Sequence, residues 1–523
     1  MCGILAILCE NEQNQLDLVM KSYDFLANRG PDCGSLTMNR DMILGFRRLT
    51  INDMSTKGNQ PFRFDTQDRK IRLLCNGEIY NHRELEEEYG LQCESTSDCE
   101  CILHLYKMFG FWQTVKLLNG DFAIVLIDND TVYFARDSIG VRPLFYGFTN
   151  DGNFALASYA RALTGFCKDV VHFHPGIGKY DKGELSVESY DLCNNVSPCF
   201  LTVDVLRNTV RDTLFQATRD RLMSERPVGC LLSGGLDSSL IASILCKLLG
   251  PQNVRTYSIG MEGSVDLRYA REVSSFLGTV HTEVKFTPEE GIACIPEVIR
   301  DLESYDITTI RASIAMWMLA RYISKNTEDK VILSGEGSDE LFCGYLYFHY
   351  APTTDDLERE SSRLVDRLYE YDVLRADRCV SSHGLELRVP FLDKNMVKLC
   401  LSIPGEMKAP QNSMEKHLLR TSFSNCFLPD NILWRRKDGM SDGVSSLEKR
   451  WYVYIREYVD TIISNDEYIQ VRDQFPSKEA YYYKKVYDEQ FPTYQPKYEY
   501  WLPKWVEHKG DPSGRILDIF TQE

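Results

Sequence analysis

The rhythm of apolar and polar positions changes once along the chain. Up to about Asn195, short β-type runs bounded by turn residues recur at Ile4–Cys9, Met42–Phe46, Ile71–Cys75, Phe122–Asp128, Val132–Arg136 and Phe154–Ala157. Such spacing predicts packed antiparallel sheets. One amphipathic helix interrupts them over Gln15–Asn28, where Leu16, Val19, Met20, Tyr23 and Leu26 recur at helical spacing. The polar stretch Asn194-Asn195-Val196-Ser197-Pro198 then reads as a linker. Beyond it, strands at Val228–Leu232, Arg255–Ile259, His281–Lys285 and Val331–Leu333 alternate with helices at Ser239–Leu249, Asp266–Leu277, Pro288–Glu303 and Thr309–Ser324. Alternation of this kind predicts an α/β fold with a parallel sheet. Two domains are therefore expected, 2–195 and 196–523, and the aromatic-rich segment after Glu479 reads as ordered.

Length and composition narrow the picture. With 523 residues and a usual domain of about 150, two large units or three smaller ones are the natural division. An apolar fraction of 43% with 26% charge is that of a soluble globular protein. Lys and Arg number 59 against 76 Asp and Glu, a net charge of −17 that opposes phosphate backbones and acidic lipid. Neither nucleic acid nor membrane is an expected partner. The short basic cluster Arg435-Arg436-Lys437 reads as a solvated face or part of a local site. Seventeen Cys with no Cys-x-x-Cys pair match neither a disulfide framework nor a zinc site. With no signal-peptide pattern and no long apolar run, a reducing cytoplasm is the expected compartment.

Two groups of residues carry candidate chemistry. Met1 precedes Cys2, and removal of Met1 would leave a thiol and an α-amine on one residue, nucleophile and base together. Asn76-Gly77-Glu78 follows the strand Ile71–Cys75 and offers an amide and a backbone N–H for an oxyanion. Arg48 can pair with a carboxylate and Asp98 with an ammonium group. Taken singly, these residues read equally as a turn, a surface charge and a helix cap. The second group is Ser233-Gly234-Gly235-Leu236-Asp237-Ser238-Ser239, set between a strand and a helix, where amides and hydroxyls suit a pyrophosphate. It lacks the Lys of a Walker A loop and carries Asp237, which tolerates phosphate only with a cation such as Mg²⁺ between them. Ser334-Gly335-Glu336-Gly337-Ser338-Asp339-Glu340 leaves another strand end, with Asp339 a second candidate metal ligand and Glu336 a group that orients or deprotonates an amine. Lys437 could neutralise phosphate charge.

In order along the chain, Cys2-Gly3-Ile4, Arg29-Gly30-Pro31-Asp32, Arg48-Leu49, Asn76-Gly77-Glu78-Ile79-Tyr80-Asn81, Ser97-Asp98 and Arg136-Asp137 resemble the class II glutamine amidotransferases. The resemblance implies a four-layer αββα N-terminal-nucleophile fold, Cys2 as nucleophile, Asn76 and Gly77 as oxyanion hole, and Arg48, Ile51, Asn76, Glu78 and Asp98 around glutamine. Phe46 stands where that family often has His. The Ser233 loop, Ile259-Gly260, Thr308-Thr309-Ile310-Arg311, Ser334-Gly335-Glu336, Arg388-Val389-Pro390-Phe391-Leu392-Asp393, Arg436-Lys437 and Ser441-Asp442-Gly443-Val444 resemble the glutamine-hydrolysing asparagine synthetases. This second likeness implies a PP-loop fold with helical additions, and L-glutamine, L-aspartate and ATP as substrates with a β-aspartyl-AMP intermediate. It implies Leu232, Ser233, Gly234, Gly235, Asp237, Ser238, Ser239, Ile259, Ser334 and Gly335 at ATP, Thr309 and Arg311 near pyrophosphate or acceptor, and Glu336 and Lys437 in the chemistry. Asp438-Gly439-Met440 and Cys343 depart from that pattern, and a homodimer is left open. A different acceptor, as in β-lactam synthetases, and a catalytically silent binding module are the alternatives. Ammonia protonates in water, so a dry apolar passage between the domains is expected.

Overall fold

The computed structural model describes residues 1–8, 16–39, 41–190, 192, 196–424, 426–496 and 499–506. The expected domain junction at Asn194-Asn195 and the expected ends Cys9 and Gln15 lie outside the described residues.

Among the described residues, twelve strands precede the change of rhythm. They are β1 (Gly3–Leu8), β2 (Cys33–Met38), β3 (Met42–Arg48), β4 (Phe62–Asp65), β5 (Lys70–Ile79), β6 (Gly120–Asp128), β7 (Thr131–Arg136), β8 (Phe145–Thr149), β9 (Phe154–Ala157), β10 (Cys167–His172), β11 (Gly176–Asp181) and β12 (Glu184–Ser189). They form two six-stranded antiparallel sheets, β10-β8-β9-β1-β3-β2 and β12-β11-β7-β6-β5-β4. Strand alternation explains how the sheets stack. From β1, Ile4 and Ala6 enter a core shared with Leu74 of β5, Val125 and Ile127 of β6 and Phe134 of β7. Leu5 and Ile7 point the other way, against Val19, Tyr23 and Leu26. On the far side of the second sheet, Ile71, Leu73 and Cys75 pack on Ile102, Leu105 and Phe111. The result is the expected αββα stack, in which central strands buried on both faces read as apolar runs.

Several expectations shift. The first helix is Leu16–Asp24, shorter than Gln15–Asn28, and its Leu16 and Met20 are exposed, so only Val19 and Tyr23 of the expected stripe are buried within it. The single helix expected before residue 195 is joined by His82–Tyr89, Cys101–Phe109 and Phe111–Leu117. β5 runs four residues beyond the expected Cys75 and therefore includes Asn76, Gly77 and Glu78.

After residue 196, β13 (Val228–Leu231), β14 (Arg255–Gly260), β15 (Val280–Lys285), β16 (Val331–Leu333) and β17 (Glu386–Arg388) form one parallel sheet in the order β15-β14-β13-β16-β17. β17 was not foreseen, because three residues are too short for a periodic signal. The expected helix Pro288–Glu303 is two, Pro288–Ala293 and Ile295–Leu302. Pro296 in the first turn of the second supplies no N–H to continue the first. In an open parallel sheet, ligands sit beyond the carboxyl ends of strands beside a reversal of order. Here β13 and β16 are those neighbours, and each ends in one of the two candidate loops.

The halves share buried charge. Arg29 and Arg142 of the N-terminal half meet Asp377 at 2.9 and 3.4 Å, and Arg221 bridges Asp121 and Asp393 at 3.2 and 2.9 Å. All are essentially buried. Removing one partner of such a pair costs about 3–5 kcal/mol because the other charge stays buried and unmet. Behind Cys2 a contact between the halves is ionic: the Met1 amine lies 3.9 Å from Glu386, beside Arg388.

Candidate active sites

Alternation along β5 sends Leu74 and Asn76 to the space between the two sheets, where β1 begins. The Cys2 backbone N–H donates to Asn76 Oδ1 at 3.0 Å, which fixes the orientation of the amide. The other end, Asn76 Nδ2, is buried and has no hydrogen-bond partner among the described residues. A buried amide donor without an acceptor is costly, and here it lies beside a thiol. Gly77 sits opposite Phe122 in the ladder, where a Cβ would come within 2.3 Å of Asp121 O. Arg29 Nε donates to the Cys2 carbonyl at 2.8 Å. Burial pushes the Cys2 thiol up to about 11 and brings the Met1 amine down to about 6.

Around this point stand two buried acids. Glu78 Oε2 accepts from Asn52 Nδ2 at 2.5 Å and lies 3.2 Å from Arg388 Nη2. Asp98 accepts from the Ile79 N–H at 2.7 Å and from Asn52 Nδ2 at 3.4 Å. Burial, Asp98 and Glu386 hold the Glu78 carboxyl well above the usual carboxylate range, and burial also raises Asp98. Ile51 is buried in the same loop. Arg48 is committed elsewhere: its Nη groups donate to the Asn52, Asp53 and Ser55 carbonyls and to Asn59 Oδ1. It shapes the loop 51–59, and Gly58 is needed beside it because a Cβ there would reach its Nη2 at 2.2 Å.

The second site is a cavity of about 220 Å³ where the ends of β13 and β16 meet. The helix after β13 begins at Leu236, three residues before the expected Ser239, so Asp237 and Ser238 lie in its first turn. Gly234 has φ +72°, and a Cβ there would strike the Tyr269–Ala270 backbone at 2.4 Å. Ser233 and Ser238 hydroxyls lie 3.1 Å apart, and Ser338 Oγ donates to Asp237 Oδ1 at 2.8 Å, so the two loops touch. Gly335 permits the approach, since a Cβ would fall 2.8 Å from Ser238 N.

Ser233, Gly235, Asp237, Ser238, Ser334, Gly335, Glu336, Asp339 and Lys437 line the cavity. Leu232, Gly234, Ser239 and Ile259 do not; they stand behind its wall, Leu232, Ser239 and Ile259 all buried. Thr309 and Arg311 also face elsewhere. Thr309 N caps its helix on Asp306, while the Arg311 guanidinium forks onto Glu479 at 2.8 and 2.5 Å, and Thr308 and Ala312 take their place on the cavity wall.

Acids in this cavity are met by cations. Lys416 Nζ lies 2.7 Å from both Asp237 and Asp339, and Lys437 Nζ 2.6 Å from Asp339 and 4.0 Å from Asp237. Burial alone would raise Asp339, yet the two lysines hold it well below the usual range. Burial opposes charge on Lys437 too, but Asp339 and Asp237 keep its pKa above that of a free lysine. Glu336 accepts from Arg375 at 2.6 Å, and Arg375 also binds Asp372 at 3.0 Å. Burial raises the Glu336 carboxyl despite Arg375. Lys416, Asp372 and Arg375 carried no sequence signal, since each lies in an unremarkable segment and meets its partner only through folding. Arg435 of the basic cluster joins a local site, donating to Gly234 O at 3.1 Å with its guanidinium 4.0 Å from the Tyr269 ring.

A family described as "Asparagine synthase" matches residues 209–358 and 351–508, and one described as "Glutamine amidotransferase domain" matches 1–181. Proteins named "Asparagine synthetase [glutamine-hydrolyzing]" from Gallus gallus, Homo sapiens and Mus musculus are each 41% identical over 99% of this chain and 98% of their own. The chain belongs to the glutamine-hydrolysing asparagine synthetases. For this family member the αββα stack is the glutamine amidotransferase half and the parallel sheet the synthetase half. Among the described residues, no helix is long and apolar enough to cross a membrane.

Proposed function

We propose that the enzyme makes L-asparagine from L-aspartate, ATP and L-glutamine, with units 2–195 and 196–523 each holding one active site. The observation that carries the glutamine half is the buried, unpartnered Asn76 Nδ2 beside Cys2, a donor that a synthetase fed only by ammonia would not need. Removal of Met1 converts the Cys2 N–H into an amine with a pKa of about 8, which takes the thiol proton. The thiolate attacks the side-chain carbonyl of glutamine, and Asn76 Nδ2 with the Gly77 backbone meets the developing oxyanion. Ammonia leaves, and water cleaves the thioester to glutamate. Glu78 and Asp98, two acids with few cations, suit the α-ammonium of glutamine, while Arg48 sets the loop that closes over it.

In the synthetase half, the β-carboxylate of aspartate attacks the α-phosphorus of ATP and pyrophosphate leaves, giving β-aspartyl-AMP. The nitrogen lone pair of ammonia then attacks the acyl carbon, AMP departs, and Glu336 takes the surplus proton. Its burial makes it a stronger base than an exposed carboxylate. The Ser233–Ser239 loop cradles phosphate, with Leu232 and Ile259 backing the nucleotide, and Lys437 and Lys416 meet negative charge. Asp237 and Asp339 already share one ammonium, an all-oxygen arrangement that also fits Mg²⁺. Asp237 and Asp339 would hold the Mg²⁺, which would offset negative charge on the phosphates. The partners are small molecules; the net charge of −17 opposes nucleic acid, and the free thiols of the described cysteines support a cytoplasmic location. A homodimer belongs to this reading and is checked by sedimentation.

A pair of variants tests the assignment. Cys2→Ala loses synthesis from glutamine and keeps synthesis from ammonium, whereas Glu336→Ala loses both. Glutamine-driven synthesis by Cys2→Ala would reject the nucleophile.

A further inference from the structure

Three chemically different side chains of the amidotransferase half converge without serving either pocket. Cys93 Sγ, a Glu100 carboxylate oxygen and a His104 ring nitrogen all lie within 4.8 Å of one another. Among the described residues, no other set of three His, Cys, Asp or Glu side chains comes this close. Helical spacing joins two of them, because Glu100 closes the short turn Asp98–Glu100 and His104 stands one turn later in the helix Cys101–Phe109. Cys93 arrives on the chain that leaves the helix His82–Tyr89, turned at Gly90 with φ +62°. Glu100 is buried, while Cys93 and His104 are half-buried. Glu100 Oε2 accepts from the Ser95 N–H at 2.8 Å and from the Ser95 hydroxyl, whereas Oε1 takes one N–H, from Glu94 at 2.9 Å, and keeps a second lone pair. That oxygen stands 3.6 Å from His104 Nε2. Glu86, itself paired with His82 at 3.0 Å, adds negative charge near the thiol.

We propose that Cys93, Glu100 and His104 bind one Zn²⁺ ion, with water as the fourth ligand. Ligands about 2.0–2.3 Å from a tetrahedral zinc stand about 3.3–3.8 Å apart. The Glu100–His104 spacing already fits, and Cys93 needs to close by about 1 Å at most. A thiolate, an imidazole and a carboxylate select zinc over magnesium or calcium, which prefer oxygen alone. As the Zn–S bond forms, the thiol proton passes to water, and the ion meets one thiolate, one carboxylate and one neutral imidazole, so the charges cancel. The ion staples residues 93–97 to the helix that follows, and Cys93 and Glu100 flank Ser97-Asp98 in the chain. Such a site escapes a search for paired cysteines, because its ligands are one thiol, one carboxylate and one imidazole.

The test titrates Co²⁺, a spectroscopic stand-in for zinc, into the full chain after treatment with a chelator and in excess Mg²⁺, which fills oxygen-only sites. One equivalent gives a thiolate-to-cobalt charge-transfer band with the visible bands of tetrahedral cobalt, and Zn²⁺ displaces it. Cys93→Ser loses the charge-transfer band, and His104→Gln weakens binding by about 100-fold or more. Cys33→Ser, which removes a half-buried thiol outside the cluster, changes neither. In the wild type, Zn²⁺ also slows hydrogen exchange of the amides of residues 94–98 and raises Tm, and both effects are absent from Cys93→Ser. Should one of the two ligand variants fail to fold, the other decides. No band at one equivalent, a band that survives in Cys93→Ser, an affinity indifferent to His104→Gln, or equal uptake by all variants, an adventitious ion only, overturns the proposal.

Discussion

The two pockets treat charge in opposite ways. In the amidotransferase half, Glu78 and Asp98 are crowded together, both raised by burial, and a buried amide donor is left without an acceptor. In the synthetase half, Asp237, Asp339 and Glu336 are each met by Lys416, Lys437 or Arg375. The first pocket thus offers two acids and an amide donor, groups that complement an ammonium and a carbonyl oxygen. The second pairs those three acids with cations, although Glu340 on its wall is itself held well above the usual carboxylate range by burial, Asp372 and Asp339. Buried polar groups that stay unpaired cost stability, and a ligand carbonyl beside Asn76 Nδ2 would remove that cost.

That contrast can be broken at its strongest point. Lys437→Met removes a cation that faces both acids, and synthesis from either nitrogen source should fall by about 10²–10³-fold, while glutamine hydrolysis persists. Assay of both reactions on one preparation decides it, and unchanged synthesis would clear Lys437 of any role. Asn76→Ala should lower kcat for hydrolysis by about 10²-fold through loss of the oxyanion donor and leave ammonium-driven synthesis intact. A rise in KM alone, with kcat unchanged, would mean that Asn76 binds substrate instead.

Asp377→Ala tests what the pockets share. It strands Arg29 and Arg142 in a buried setting, costs about 3–5 kcal/mol and should lower Tm while weakening both activities together. An unchanged Tm would show that the ionic seam is dispensable. A smaller effect is expected from pH. Glutamine binding needs Glu78 and Asp98 ionised, and both are raised, so affinity falls as pH drops through a value above the usual carboxylate pKa of about 4. Asp98→Asn should weaken binding throughout and flatten that acid limb in a profile of kcat/KM; an unaltered limb would assign it to another group. Smallest of all is Cys343→Gly. Cys343 sits at φ +52°, fully buried, in the left-handed region that suits glycine. Relief of about 1–2 kcal/mol of backbone strain is offset by the lost thiol packing, so Tm should move little, and a large drop would show that packing dominates.

Much of the stack was legible because alternation and helical spacing are local. Ile4 to Leu8, Phe122 to Asp128 and Val331 to Leu333 announce themselves, and Cys2 and the Ser233–Ser239 loop carry their chemistry in adjacent residues. The first helix was misjudged at Leu16 and Met20, because spacing shows that a stripe exists but not which part another element covers. The end of β5 was misjudged because Asn76 and Gly77 have turn character by themselves, and only pairing with β6 keeps them extended.

By itself, then, the sequence determined which reactive groups exist and which strands and helices can form, since both depend on residue type and on neighbours within a few positions. Tertiary structure alone decided who meets whom. Lys416 reaches Asp237 across 179 positions, Arg311 pairs with Glu479 across 168, and Arg388 reaches into the other half of the molecule. The reason is that a buried charge takes whichever partner the packed chain brings within a few ångströms, and that distance is set by the stacking of the sheets.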